Sequence, residues 1–138
     1  RWLAYASDES GRSEIYVRSY PDVDTGGRWQ ISTGGGTRPL WSRDGAELFY
    51  VSGGATTGDN ALMSVPVEAT DQTFIPGRPE VILEGDYASF EQGGRSYDVS
   101  PDGERFLMMK DAASAAGRSR IVVVENWFEE VQRLVPTE

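Results

Sequence analysis

The sequence predicts an all-β protein built from repeated four-stranded antiparallel units, and three observations predict it. Gly and Pro contribute 16 and 7 of the 138 residues, a density of chain breakers that suits short elements and frequent turns and argues against a helical bundle. Between the breakers run short segments rich in β-branched and aromatic residues. A turn also repeats: Trp41-Ser42-Arg43-Asp44-Gly45 recurs as Val99-Ser100-Pro101-Asp102-Gly103, 58 positions on, and each copy is followed by an apolar run.

Each element follows from its residues. The turn is tight because Pro101 presets φ for a corner, Asp can accept from backbone amides beyond itself, and Gly takes positive φ without steric cost. After it come Ala46–Ser52 in one copy and Glu104–Lys110 in the next; shifted 45 positions from the first of these, Arg1–Ser7 reads as the same strand without its turn. A second strand recurs as Glu14-Ile15-Tyr16-Val17-Arg18, Ala61-Leu62-Met63-Ser64-Val65 and Arg120-Ile121-Val122-Val123-Val124. A closing strand recurs as Arg28-Trp29-Gln30-Ile31-Ser32 and Pro79-Glu80-Val81-Ile82-Leu83.

The chain therefore divides into about three units of strands A to D. Unit one, 1–33, lacks its innermost strand A and has strands near 1–7, 13–20 and 28–32. Unit two, 34–84, is complete, with strands near 37–42, 46–52, 61–67 and 79–84. Unit three, 85–126, has strands near 95–100, 104–110 and 119–125. In the tail, 127–138, two readings stand. Asn126 can cap a short helix with Glu129 three residues on, Trp127, Val131 and Leu134 on one face and Pro136 at its end; alternatively Val131–Val135 is the missing strand D. The small-residue stretches Gly53–Asn60 and Asp111–Ser119 read as connections between strands B and C. Four strands per unit of this length match a β-propeller blade.

Composition narrows the chemistry. A net charge of −9 disfavours a nucleic-acid-binding module. The cations are twelve Arg and the single Lys110. With Cys 0 and His 0, there is no disulfide frame, no thiolate zinc site, no Ser-His-Asp triad and no HExxH centre. No apolar run approaches the roughly 18–20 residues of a membrane span, and no signal peptide is visible. A chain that opens at Arg1 in strand-like sequence reads as a piece of something longer.

The motifs Ser100-Pro101-Asp102-Gly103 and Trp41-Ser42-Arg43-Asp44-Gly45, the latter with Arg where the pattern has Pro, resemble the TolB-like (WD-like) propeller repeat. Over essentially the whole chain, with Leu3–Tyr20, Trp29–Tyr50 and Asn126-Trp127-Phe128-Glu129-Glu130 as the carrying segments, the sequence is similar to the C-terminal part of propeller domains in bacterial multidomain proteins. In those the propeller often follows a serine/threonine kinase domain and a membrane helix, or a winged-helix regulator. The resemblance implies a periplasmic or otherwise extracytoplasmic address and a parent with six or more blades. Function does not follow from such a fold, which hosts many unrelated activities.

Three blades cannot close a ring. Covering the two end faces at ~25 cal/mol per Å² is worth on the order of 10 kcal/mol. If the chain folds alone, two copies are therefore expected to associate into a six-bladed ring, with strand exchange completing unit one, which lacks strand A, and unit three, where strand D is in question; otherwise the missing blades belong to a longer parent chain. The expected function is a non-catalytic ligand- or protein-binding and assembly module of a sensor or scaffold protein, with no cofactor and no metal. Arg38, Arg95, Tyr97 and Asp98 lie on the innermost strands and form the candidate ligand-binding set, suited to an anionic ligand or a peptide C-terminus. Asp98 occupies the place of Leu40 and there suits a cation or an ion pair with Arg95 or Arg38.

Other features read as structural. Trp2, Trp29, Trp41 and Trp127 are assigned to packing between units, Asp44 and Asp102 to their turns, and Gly34-Gly35-Gly36 to the bend between units one and two, since no Lys-Ser/Thr or helix follows it. Asp8-Glu9-Ser10-Gly11-Arg12 and Asp22-Val23-Asp24 lack the calcium-loop pattern and read as turns. The competing readings are a hydrolase using carboxylates, with Glu47, Glu80 and Glu104 as first candidates, and a fragment without independent function that self-assembles.

Overall fold

The computed structural model describes residues 1–53, 60–85 and 96–109; over these the chain is all-β, every strand pair is antiparallel and no helix occurs. The first sheet has the order β1 (Trp2–Ser7), β2 (Glu14–Ser19), β3 (Arg28–Gln30). The second holds β4 (Thr37–Trp41), β5 (Glu47–Ser52), β6 (Ala61–Ala69) and β7 (Phe74–Pro76), with β8 (Glu80–Glu84) also paired to β6. The third is the hairpin β9 (Tyr97–Val99) and β10 (Phe106–Met108). The described residues form no closed barrel or ring.

Strand alternation stacks these sheets. Side chains on β5 point alternately to its two faces, so Leu48 and Tyr50 pack towards the first sheet while Phe49 and Val51 pack towards the third. One core joins them to Ile15, Val17 and Ile31 on one side and to Val65, Val67 and Phe74 on the other. The second core sets Phe49, Val51 and Leu62 against Tyr97, with Phe106 and Met108 at its margin. Trp2, Trp29 and Trp41 pack between the first and second sheets: Phe74 lies 5.1 Å from Trp2, 5.1 Å from Trp29 and 6.3 Å from Trp41, ring centre to ring centre. Trp127 lies outside the described residues.

The strands expected in units one and two form, most of them a residue or two shorter than expected, while β6 runs on to Ala69. One expectation is corrected. Unit two does not close on a single fourth strand: β8 pairs the start of β6 (Ala61↔Glu84 to Ser64↔Glu80) and β7 pairs its end (Val67↔Pro76 to Ala69↔Phe74). A nine-residue strand is long enough for two short partners. Pro66 stands at the changeover, and its carbonyl accepts from Gly77 N–H at 2.7 Å. The connection is a polar turn in which Thr70 Oγ1 accepts from the amides of Gln72 and Thr73, and buried Phe74 anchors its far side.

In unit three the first two strands are Tyr97–Val99 and Phe106–Met108. The expected strand 119–125, the tail, the Asp111–Ser119 connection and most of Gly53–Asn60 lie outside the described residues.

Both repeated turns use one set of bonds. Ser42 Oγ donates to Asp44 Oδ1 (2.7 Å) and accepts from Glu47 N–H (2.9 Å), while the same Asp oxygen accepts from Ala46 N–H (3.1 Å). Ser100 Oγ likewise donates to Asp102 and accepts from Arg105 N–H (2.9 Å), and Asp102 Oδ1 accepts from Glu104 N–H (3.2 Å). Gly45 and Gly103 have φ of +75° and +77°, a backbone that other residues adopt only under strain. Arg43 replaces the preset φ of Pro101 without altering the network.

Candidate functional site

Of the four inner-strand candidates, the structure brings two together. Pro39 has no amide hydrogen to give to a ladder, and β4 bulges there: the register against β5 shifts between Thr37 and Leu40, and Arg38 takes φ +56°. For a non-glycine residue such a backbone costs of order 1–3 kcal/mol and persists only where its surroundings hold it. Here the holder is Tyr97 of β9, whose hydroxyl donates to the Arg38 carbonyl at 2.8 Å. The Tyr97 side chain is otherwise buried in the second core. Arg38 Nη1 donates to Thr37 Oγ1 at 3.2 Å.

Asp98 is placed differently. Strand alternation turns it to the opposite face of β9 from Tyr97, where it is exposed, faces Leu107 across the hairpin, and accepts from the Val99 amide at 3.0 Å. With Leu107, Met109, Ser96 and Tyr97 it borders a depression of about 310 Å³. Arg95 lies outside the described residues.

A second cleft, also about 310 Å³, lies between the two repeated turns and brings Asp44, Glu47, Asp102 and Glu104 to one place beside Arg43. Two of the three carboxylates named for hydrolysis, Glu47 and Glu104, thus share a cleft. Glu80 is on exposed β8 and does not line it. A carboxyl acting as general acid near neutral pH needs a raised pKa. Asp44 and Asp102 are held below the ordinary carboxylate range, first by the Ser42 and Ser100 hydroxyls and then by the amides of Ala46 and Glu104. Glu47 Oε1 accepts from Ser64 Oγ at 3.1 Å. No cluster of three or more metal-ligating side chains occurs among the described residues. Asp8–Gly11 is a hairpin turn closed by Gly11 N–H to Asp8 O at 2.8 Å.

The residue missed in the sequence is Glu14, read only as the first residue of a strand. Its side chain is 2 % exposed. Arg12 Nε donates to it at 2.7 Å, the Gly35 amide donates at 3.0 and 3.1 Å to its two oxygens, and Ser32 Oγ donates to it while accepting from Ile15 N–H at 2.8 Å. Burial pushes this carboxyl up, but the bonds from Ser32, Arg12 and Gly35 and the Arg12 charge outweigh it and hold the pKa below the usual value. Burial first, and then the Glu14 charge, pushes the Tyr50 hydroxyl up. The network pins the Gly34–Gly36 bend to the first sheet, so its chemistry is that of a structural clasp. The signal that could have found it is a carboxylate opening a strand whose next three residues are all apolar.

Comparison with known proteins finds no match: no family model, no curated protein and no solved structure is similar enough to the chain to assign it to a family.

Proposed function

We propose that the chain is a non-catalytic recognition module, three stacked units of a β-propeller of TolB-like type, which binds an anionic group such as a peptide C-terminus where the innermost strands meet. The observation that carries this reading is the bond from Tyr97 Oη to the Arg38 carbonyl. It joins the first strands of consecutive units at one point, as the inner strands of a propeller are joined around an axis, and it holds Arg38 in a backbone that costs energy to keep. Strain retained at one position, with a side chain of another sheet dedicated to holding it, is characteristic of a site whose geometry matters. A guanidinium anchored there suits a carboxylate.

The test is a titration of the chain with a pool of short acetylated peptides carrying free C-terminal carboxylates, against the same peptides amidated, followed by amide and side-chain NMR shifts. Free-carboxylate peptides are expected to shift Tyr97 and Arg38 resonances, and Arg38→Gln to weaken binding about tenfold. Equal response to the amidated pool, or hydrolysis of the peptides that a Glu47→Gln or Glu104→Gln change abolishes, overturns this function.

A further inference from the structure

We infer that Asp44-Gly45 and Asp102-Gly103 are sites of spontaneous modification, Asp to isoaspartate, which the hydrogen bonds of the Ser-x-Asp-Gly turn hold in check, and that Asp102-Gly103 is the less protected of the two. This holds whatever the chain binds.

Asp followed by Gly is the pair most open to this chemistry, because no Cβ shields the glycine amide and its backbone turns most freely. The Gly nitrogen, giving up its proton, attacks Cγ of the Asp carboxyl. A C–N bond forms, a C–O bond of the protonated carboxyl breaks, and the hydroxyl leaves with a proton as water. Water then adds back to either carbonyl of the succinimide ring. Opening on one side restores Asp; opening on the other routes the main chain through Cγ and adds a methylene to the backbone. The chain has two Asp-Gly pairs and no Asn-Gly pair, and both lie in the repeated turn.

The turn restrains both reacting groups. The Gly45 amide donates to Ser42 O at 3.0 Å and the Gly103 amide to Ser100 O at 2.9 Å, so the proton that must leave is already bonded. Asp44 Oδ1 accepts from Ser42 Oγ and Ala46 N–H, and Asp102 Oδ1 from Ser100 Oγ and Glu104 N–H. Bonds of this kind favour the ionised carboxylate, which has no hydroxyl to lose; both carboxyls are accordingly held below their ordinary range. The serine hydroxyls are fixed in turn by the amides of Glu47 and Arg105, each at 2.9 Å. Packing plays no such part: a Cβ built on Gly45 or Gly103 would meet no atom within 4 Å. The restraint therefore lies in the hydrogen bonds.

The two turns differ in how well those bonds are kept from water. Ser42 is 9 % exposed, and its turn joins strands of five and six residues. Ser100 is half-buried, its bonds to Asp102 and Arg105 are exposed, and its turn joins strands of three residues each. Water competes more readily for the second set, and a shorter ladder opens at lower cost. The Arg105–Asp102 pair, exposed and 3.5 Å apart, adds little.

The test is to age the full chain near neutral pH and follow both turn peptides by chromatography and mass spectrometry, where isoaspartate separates at equal mass and the succinimide is lighter by a water. Both pairs are expected to convert more slowly in the folded chain than in guanidinium chloride, with Asp102 ahead of Asp44. Ser100→Ala is expected to raise the rate at Asp102 about tenfold, with Asp44 and the circular dichroism spectrum unchanged and with no difference from the unmodified chain in guanidinium chloride. Ser42→Ala is expected to do the same at Asp44 alone. Ser100→Thr keeps the hydroxyl and is expected to keep the slow rate. Equal rates in folded and unfolded chain overturn the protection, as do alanine variants that leave the local rate unchanged or Ser100→Thr as labile as Ser100→Ala. Faster conversion at Asp44 than at Asp102 overturns the order.

Discussion

The two sides of the second sheet are held by different means. Towards the first sheet it meets three tryptophans gathered around Phe74, in a core that also buries Ile15, Val17, Leu48, Tyr50 and Val65. Towards the third it meets a smaller core, with the close ring pair Phe49 and Phe106 at 5.0 Å and the Tyr97 hydroxyl on the Arg38 carbonyl. The same strand, β5, feeds both. The difference teaches that the first junction is built for stability, with a polar clasp at Glu14 fixing its bend, and the second for the placement of a particular backbone group.

Removing the central ring gives the largest expected effect. Phe74→Ala leaves three indole rings facing a cavity and should cost about 3–5 kcal/mol in urea unfolding. Phe106→Ala at the half-buried margin of the other core should cost less; an equal or larger loss there would reverse the ranking of the two junctions. Next comes the clasp. Glu14→Gln keeps the shape but removes the charge that Arg12 and the amide of Gly35 address, for an expected loss of about 1–3 kcal/mol. Because the folded pKa of Glu14 lies below its ordinary 4.5, its contribution is fully present above that value and is lost as pH falls through the folded pKa. Thermal melts from pH 6 downwards (the range ~6 to ~2 covers both states) should therefore show an acid-dependent loss that Glu14→Gln flattens. The smallest effect belongs to Tyr97→Phe, about 1 kcal/mol. It should be read chiefly in NMR shifts of Arg38 and its neighbours, since the ring keeps its place in the core; no change at Arg38 would deny the second junction its positioning role.

Much of this was legible in the residues. Strand positions followed from β-branched runs between breakers, the equivalence of the two turns from Ser-x-Asp-Gly, and the packing role of Trp2, Trp29 and Trp41 from their size. Local rules suffice there, because a turn's hydrogen bonds and a strand's alternation are settled within a few residues of chain. Strand β7 was missed because Phe74-Ile75-Pro76 is too short to show a period, and it exists only because long β6 leaves ladder groups for it to pair.

The candidate site was legible by halves. Spacing put Arg38 on one strand and Tyr97 and Asp98 on another, but only the packed sheets decided that Tyr97 turns to the Arg38 carbonyl while Asp98 turns away with Leu107. Glu14 shows the same limit more sharply. Its carboxylate is stabilised by a serine 18 positions on and an amide 21 positions on, and groups so far apart in the chain meet only once two strands and a glycine bend have folded together. Sequence alone determined where strands and turns form, because those depend on neighbours in the chain. Which faces bury and which polar groups meet depends on neighbours in space, and these the tertiary structure decided.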